Sequence, residues 1–352
     1  MDKSSIAVIG GDGIGPEVVE AGIRVLEAAS DTAERLSFTR FPWGCEYYLE
    51  HGRMMPEDGL DTLGGFDAIY LGAVGWPTVP DHISLWNLLL PIRRTFDQYV
   101  NLRPARLLRG VESPLANPGN LDVTLVRENT EGEYSDSGGR MFAGTPHEVV
   151  IQESVFTRRG VERIVRYACE EAKGRRGLLV GATKSNGISI TMPFFDEVFR
   201  EVGEEYPEVE ASLMHADALA ARLVLDPERF DVVVGSNLLG DILSEVTAAI
   251  SGAIGIAPSA NLNPEREHPS LFEPIHGSAP DIAGEGVANP AGAIWAGAML
   301  LEHIGYPETG ARVLAALEET LAHGITTRDL GGSATTEQVT DAVVERLRSP
   351  TV

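Results

Sequence analysis

Short apolar runs alternate along the chain with segments whose apolar positions recur at helical spacing. Ile6–Ile9, Asp67–Gly72, Asp122–Val126, Gly177–Val180 and Asp231–Val234 read as strands. Helices are expected over Val161–Ala172, Pro193–Glu204, Leu238–Ile250, Ala291–His303 and Thr336–Arg348. Another opens at Pro16, where the N–H that proline lacks would go unbonded in any case. This alternation implies an α/β fold with a largely parallel sheet and covering helices. Two stretches break the rhythm, Ser135–Gly139 and the β-rich Glu148–Phe156, and read as an inserted hairpin or arm. Pro91 falls inside an apolar helical segment, where it removes a backbone donor and is expected to kink the chain.

The chain has 352 residues, enough for two domains or one large α/β domain. Cys45 and Cys169 are far apart, so neither a disulfide framework nor a zinc site is indicated. No apolar run reaches membrane-spanning length and no signal-peptide pattern is present, so a cytoplasmic enzyme is expected. The formal net charge of -24 argues against nucleic acid or an anionic membrane as a partner. It leaves an anionic small molecule open, because a local arginine cluster overrides the global field. Of the 28 basic residues only Lys3, Lys173 and Lys184 are lysines, leaving twenty-five arginines.

The most informative segment is Phe230–Glu245, where an apolar strand runs through a turn into a helix bearing Asp241 and Glu245. A four-residue spacing puts the two carboxylates on one helix face, about one turn apart. Either a divalent cation with oxygen ligands neutralises them or they form a solvated acidic face. Arg93, Arg94 and Arg103 lie within Leu88–Arg103 and Arg127 ends a strand; such arginines suit carboxylate recognition through the planar guanidinium fork, or surface ion pairing. Tyr134 follows a polar loop and is a proton donor or a hairpin cap. Lys184, between a strand and a helix, is a base near a metal or an exposed loop lysine. The loop Gly10–Pro16 fails the dinucleotide fingerprint because Pro16 stands at the third glycine position. It is a close backbone approach to a phosphate or ribose, or a tight turn. The turn-rich loop Glu273–Asp281 would let a planar ring approach, and Asp281 would accept from a ribose 2′-hydroxyl while opposing a 2′-phosphate.

Taken together, Gly10–Pro16, Asn101–Pro104, Arg127–Tyr134, Asn237–Asp241 and Glu273–Asn289 resemble the metal-dependent β-decarboxylating dehydrogenases over essentially the whole chain. That family includes isocitrate, 3-isopropylmalate, homoisocitrate and tartrate/D-malate dehydrogenases. The resemblance implies an isopropylmalate dehydrogenase-like α/β fold, not a Rossmann fold, with two domains, an active-site cleft between them and a β arm. The larger, cofactor-binding domain would comprise 1–99 and 252–352; residues 100–251 would form a smaller domain with the dimer interface and the metal and catalytic residues. It implies a homodimer with shared active sites, with Lys184 and Asp217 reaching across it. Arg93, Arg103 and Arg127 would hold substrate carboxylates, with Trp86 and Leu89 shaping the substrate pocket. Tyr134 and Lys184 would transfer protons, and Asp217, Asp241 and Glu245 would hold Mg²⁺ or Mn²⁺. Ile14, Glu273, His276, Gly277, Ser278, Ala279, Asp281 and Asn289 would bind the cofactor, with Asp281 indicating NAD. A monovalent cation such as K⁺ is a further expected cofactor. At position 245 the family usually has Asp; Glu245 is one methylene longer, so it ligates through a shifted carboxylate or water, or leaves the metal weaker.

Substrate choice in the family depends on the segment before Arg93, here His82–Leu90. Trp86 replaces the Glu common in isopropylmalate enzymes, and the run from Val79 to Pro104 is similar to the tartrate/D-malate branch. A bulky indole should shrink the pocket beside C3, favouring hydrogen or hydroxyl there. The expected reaction is therefore oxidative decarboxylation of D-malate to pyruvate and CO2, or of tartrate, with 3-isopropylmalate as the alternative substrate. A metal-dependent lyase or phosphate-ester hydrolase, and a non-catalytic organic-acid sensor, are the competing classes.

Overall fold

The computed structural model describes residues 3–29, 35–252 and 254–348. They form two compact units, Met1–Gln98 with Arg106–Ala116 and Ala248–Val352, and Tyr99–Ala105 with Asn117–Thr247. The bounds expected from sequence, 1–99 and 252–352 against 100–251, miss one excursion. Arg106–Ala116 belongs to the first unit because Leu108 and Val111 are buried in the apolar cluster around Trp295, Leu317 and Leu321.

The first unit holds β1 (Ser4–Gly11), β2 (Leu36–Phe41) and β3 (Ala68–Ala73). The second holds β4 (Val100–Arg106), β5 (Asp122–Glu128), β6 (Gly138–Met141), β7 (Val149–Gln152), β8 (Leu178–Thr183), β9 (Glu210–His215) and β10 (Val232–Gly235). The chain then returns to the first unit with β11 (Pro258–Leu262) and β12 (Ser270–Pro274).

The first unit's strand order is β2-β1-β3-β12-β11. β1 runs parallel to β2 and β3, β12 runs parallel to β3, and β11 is antiparallel to β12. Every residue of β3 is buried, as expected of a strand covered on both faces. The helix Ala291–His303 is also buried almost all round, with Trp295, Leu300 and Leu301 in the core. Before Arg93 the chain forms a π-helical stretch, Leu85–Leu89, and restarts as an α-helix over Leu90–Thr95. Pro91 thus lies in the opening turn of the restarted helix, where its missing donor is tolerated and the irregular geometry precedes it.

The second unit's order is β4-β5-β10-β8-β9, parallel across the β5–β10, β10–β8 and β8–β9 pairs. Its core includes Leu125, Ile164, Phe195, Phe199 and Val233, all at most 2% exposed. Register positions the chemistry. Gly235 pairs with Arg127, so the ends of β10 and β5 lie side by side. Beyond them run the helix Asn237–Ile250 and the loop to Tyr134. Thr183 pairs with His215, which brings the segments carrying Lys184 and Asp217 together. The expected arm is an antiparallel hairpin of β6 and β7, exposed along its length.

Candidate active site

In the second unit, one polar cluster forms around Asp241. Arg127, only 2% exposed, donates from Nη1 to Asp241 Oδ1 and from Nε and Nη2 to Asn237 Oδ1 at 3.1 and 2.6 Å. Arg103 donates from Nε to Asn101 at 2.7 Å and from Nη1 to Ser244 Oγ at 2.7 Å. Its Nη1 also lies 3.3 Å from Asp241 and 3.5 Å from Glu245. Tyr134 donates its phenolic proton to Asp241 Oδ2 at 3.0 Å, and the Arg127 guanidinium sits 5.3 Å from the centre of its ring. The two arginines offset the repulsion between the carboxylates that their spacing on one helix creates. Burial, reinforced by the Asp241 carboxylate, raises the Tyr134 phenol above its ordinary range, so it carries its proton at neutral pH. Burial likewise raises Glu245, with Asp241 adding to the rise and Arg103 opposing it.

A second pair lies at the ends of β8 and β9. Lys184 Nζ is 3.0 Å from Asp217 Oδ2, and that hydrogen bond holds the Asp217 carboxyl below its usual range. Within one chain Asp217 is therefore engaged by Lys184 and is not brought to Asp241 and Glu245. Among the described residues no group of three or more His, Cys, Asp or Glu could hold a metal ion. Asp241 and Glu245 nevertheless offer hard carboxylate oxygens from one helix face, a donor set that fits Mg²⁺ or Mn²⁺.

In the first unit, Arg93 is engaged by Glu273. Its Nη2 donates to Glu273 Oε1 at 3.1 Å, the same oxygen accepts from Asn261 at 2.7 Å, and both charged side chains are buried. Trp86 is half-buried beneath the Arg94 guanidinium, 4.9 Å away, and half-buried Leu89 packs against the core of β1 and β3.

The two cofactor loops of this unit are joined through backbone. Ile14 N–H donates to the Ser278 carbonyl at 2.8 Å. Gly13 has φ 58°, and a Cβ there would lie 2.0 Å from that carbonyl oxygen, so both conformation and contact demand glycine. Ile14, His276, Gly277, Ala279 and Asn289 line a cavity of about 620 Å³, completed by Ile254, Gly255, Ile282, Val287, Arg328 and Asp329. His276 Nδ1 faces the Gly277 carbonyl at 3.0 Å, while its buried Nε2 has no hydrogen-bond partner. Burial lowers its imidazole below the ordinary range, keeping it neutral. A largely apolar wall with one unpaired ring nitrogen fits a planar nucleoside base. Of the other expected cofactor residues, Ser278 closes against Gly13, Glu273 holds Arg93, and Asp281 is exposed and not among the lining residues.

Sequence reasoning did not single out Asn101, Asn237 and Ser244 as the polar partners of the two arginines, nor Arg328 and Asp329 as cavity wall. For Asn237 a signal existed, since Asn at the start of an apolar helical run is a favoured cap residue. For Arg328 and Asp329, local pattern offers none.

A model of isocitrate/isopropylmalate dehydrogenases matches residues 5–343. The chain is 60% identical over 354 residues to the D-malate dehydrogenase (decarboxylating) of Escherichia coli K12, covering 97% of this chain and 98% of that one. It is 55% identical over 354 residues to the tartrate dehydrogenase/decarboxylase of Pseudomonas putida, covering 97% of each. Among solved structures, isocitrate dehydrogenase from Methylococcus capsulatus matches with a TM-score of 0.89 at 34% identity, covering 98% of this chain and 100% of that one. The chain belongs to the isocitrate/isopropylmalate dehydrogenase family, with that family's α/β fold, and is a decarboxylating dehydrogenase. The family acts on small molecules and depends in general on NAD and a divalent metal. No helix among the described residues is long and apolar enough to cross a membrane.

Proposed function

We propose that this protein catalyses the NAD- and divalent-metal-dependent oxidative decarboxylation of D-malate to pyruvate and CO2, with tartrate as a related substrate. The observation that carries this reading is the cluster in which a protonated phenol and two guanidiniums converge on Asp241. The relatives named for D-malate and tartrate support the substrate class, and Trp86 favours a small substituent at substrate C3.

Arg103 and Arg127 would present fixed donors to the carboxylates of a 2-hydroxy diacid, and the family resemblance assigns Arg93, whose Nη2 is held by Glu273, to the same role. Asp241 and Glu245 would hold Mg²⁺ or Mn²⁺ with Asp217 from a second copy of the chain, in a cytoplasmic homodimer with shared active sites. When bound, the cation would supply Lewis-acid polarisation of the substrate and NAD would supply the hydride acceptor. Lys184 takes the hydroxyl proton as hydride leaves C2. The resulting 2-oxo acid loses its β-carboxylate as CO2, and the electron pair left behind forms an enolate. Tyr134 delivers a proton to its carbon, giving pyruvate. Ile14, His276, Gly277, Ala279 and Asn289 would seat the adenosine of NAD in the cavity they line, and Asp281 would favour NAD over NADP.

The test is NADH appearance with Mn²⁺, with and without K⁺, offering D-malate, tartrate, 3-isopropylmalate and isocitrate separately. Preference for D-malate or tartrate is expected. Preference for 3-isopropylmalate would overturn the reading of Trp86, and turnover without nicotinamide would indicate a lyase or hydrolase.

A further inference from the structure

Tyr134 hangs from a loop, while Asp241 stands on a helix more than a hundred residues later, yet their oxygens meet at 3.0 Å. Something must fix the loop to the helix, and the only acidic side chain adjoining Tyr134 in sequence, Glu133, is placed to do so. Its Oε1 accepts from Ser236 Oγ at 2.7 Å and its Oε2 from the Leu238 backbone N–H at 3.0 Å. Both donors belong to the opening of the helix that carries Asp241 and Glu245. A carboxylate there also meets the positive end of the helix dipole. The main chain of Glu133 is held separately, because the Gln152 side chain on β7 donates to its carbonyl at 3.1 Å. One residue earlier, Gly132 at φ 91° exchanges backbone hydrogen bonds with Val155 at 2.8 and 3.0 Å. The segment before Tyr134 is thus anchored on two sides, and the carboxylate of Glu133 is the anchor that faces the helix.

We infer that Glu133 is a positioning residue that sets the Tyr134–Asp241 distance by binding the first turn of the Asp241 helix. The inference rests on the role of Tyr134 proposed above. Glu133 touches no reacting atom in this account. Its two acceptor oxygens hold the phenol in line for proton delivery.

The experiment is a double-mutant cycle on the full-length enzyme, read as kcat and KM for D-malate with Mn²⁺ and NAD, alongside thermal unfolding. Glu133→Ala should lower kcat about 10- to 100-fold, the scale of an ångström misplacement, with KM for D-malate nearly constant. In a Tyr134→Phe background the same change should cost under about twofold, because there is no phenolic proton left to misplace. Glu133→Gln should recover most of the loss, since its carbonyl can accept from Leu238 N–H while its amide donates to Ser236 Oγ. Should Glu133→Ala not fold, Glu133→Asp, one methylene short of both donors, takes its place in the cycle. Additive losses in kcat would overturn the inference, as would a fall in melting temperature with kcat per folded enzyme unchanged, or failure of both variants to fold. Tyr134→Phe turning over like the wild type would instead remove the proposed role of Tyr134 itself.

Discussion

Replacing Arg127 by Lys keeps the charge and removes the geometry, and the structure says how much that costs. The guanidinium makes three bonds at once, one to Asp241 and two to Asn237 Oδ1. A lysine ammonium is a point donor on a flexible stem and cannot span both acceptors from a buried strand end. If it follows Asp241, the Asn237 Oδ1 loses both of its arginine donors while Asn237 itself stays buried at 2% exposure. An unsatisfied buried acceptor costs about 1–3 kcal/mol. Asp241 keeps about a third of its side-chain surface in water, so its share of the loss is smaller and is left out of that figure. Urea unfolding of Arg127→Lys should therefore show a stability loss of about 1–3 kcal/mol at an unchanged denaturant slope. In the same variant kcat/KM for D-malate should fall if Arg127 has the substrate-binding role proposed above, because Asp241 then loses its fixed fork as well. Asn237→Ala should destabilise less in the Arg127→Lys background than in the wild type, with a coupling of about 0.5–3 kcal/mol. An unfolding midpoint equal to that of the wild type, or full additivity with Asn237→Ala, would refute the claim that the fork holds these groups together.

Tyr134→Phe keeps the ring beside Arg127 and removes the proton, so turnover should fall about 10²- to 10⁴-fold with KM for D-malate little changed; steady-state kinetics decide it. Glu128 is buried and its carboxyl is pushed up from 4.5 to about 7, chiefly by burial, against the pull of the Glu131 and Thr130 N–H donors. A carboxyl raised on folding contributes stability that is full below pH 4.5 and is lost as pH rises through about 7. Unfolding measured across that window should show the decline, and Glu128→Gln should flatten it; an equal slope in the variant would count against burial as the cause. Arg93→Met should cost about 3–5 kcal/mol, because it leaves the Glu273 carboxylate buried without its cationic partner, its Oε1 held by Asn261. Arg93→Met/Glu273→Gln should recover part of that loss in the same denaturation assay, and no recovery would mean the cost is packing, not charge.

Legibility from sequence followed how local each signal was. The helix Ala291–His303 was read with its observed ends, because its apolar residues and the preceding Pro290 act within a turn of one another. The strand and helix around Asp241 were read for the same reason. β4, in contrast, was not read as a strand. Asn101, Arg103 and Pro104 interrupt its apolar pattern, and Asn101 and Arg103 are polar because they belong to the cluster around Asp241. The helix Pro307–Ala322 also went unread, although Pro307 in its first turn and the apolar positions Val313, Leu317 and Leu321 carry its period. The domain bounds missed Arg106–Ala116 because nothing in that short segment announces which core receives Leu108 and Val111.

The sequence by itself determined the α/β alternation, the placing of Asp241 and Glu245 on one helix face, and, through motifs spread along the chain, the family. Those properties depend on spacing and residue type, which are present before folding. Tertiary structure alone decided the partners. Arg127 meets Asn237 and Asp241, Arg93 meets Glu273, and Lys184 meets Asp217, across separations no periodicity spans. Three arginines that look equivalent as anion binders thereby acquire different surroundings. A guanidinium takes whichever acceptor the packed backbone brings within hydrogen-bond reach, and that is set by strand register and helix placement, not by the neighbours it has in the chain.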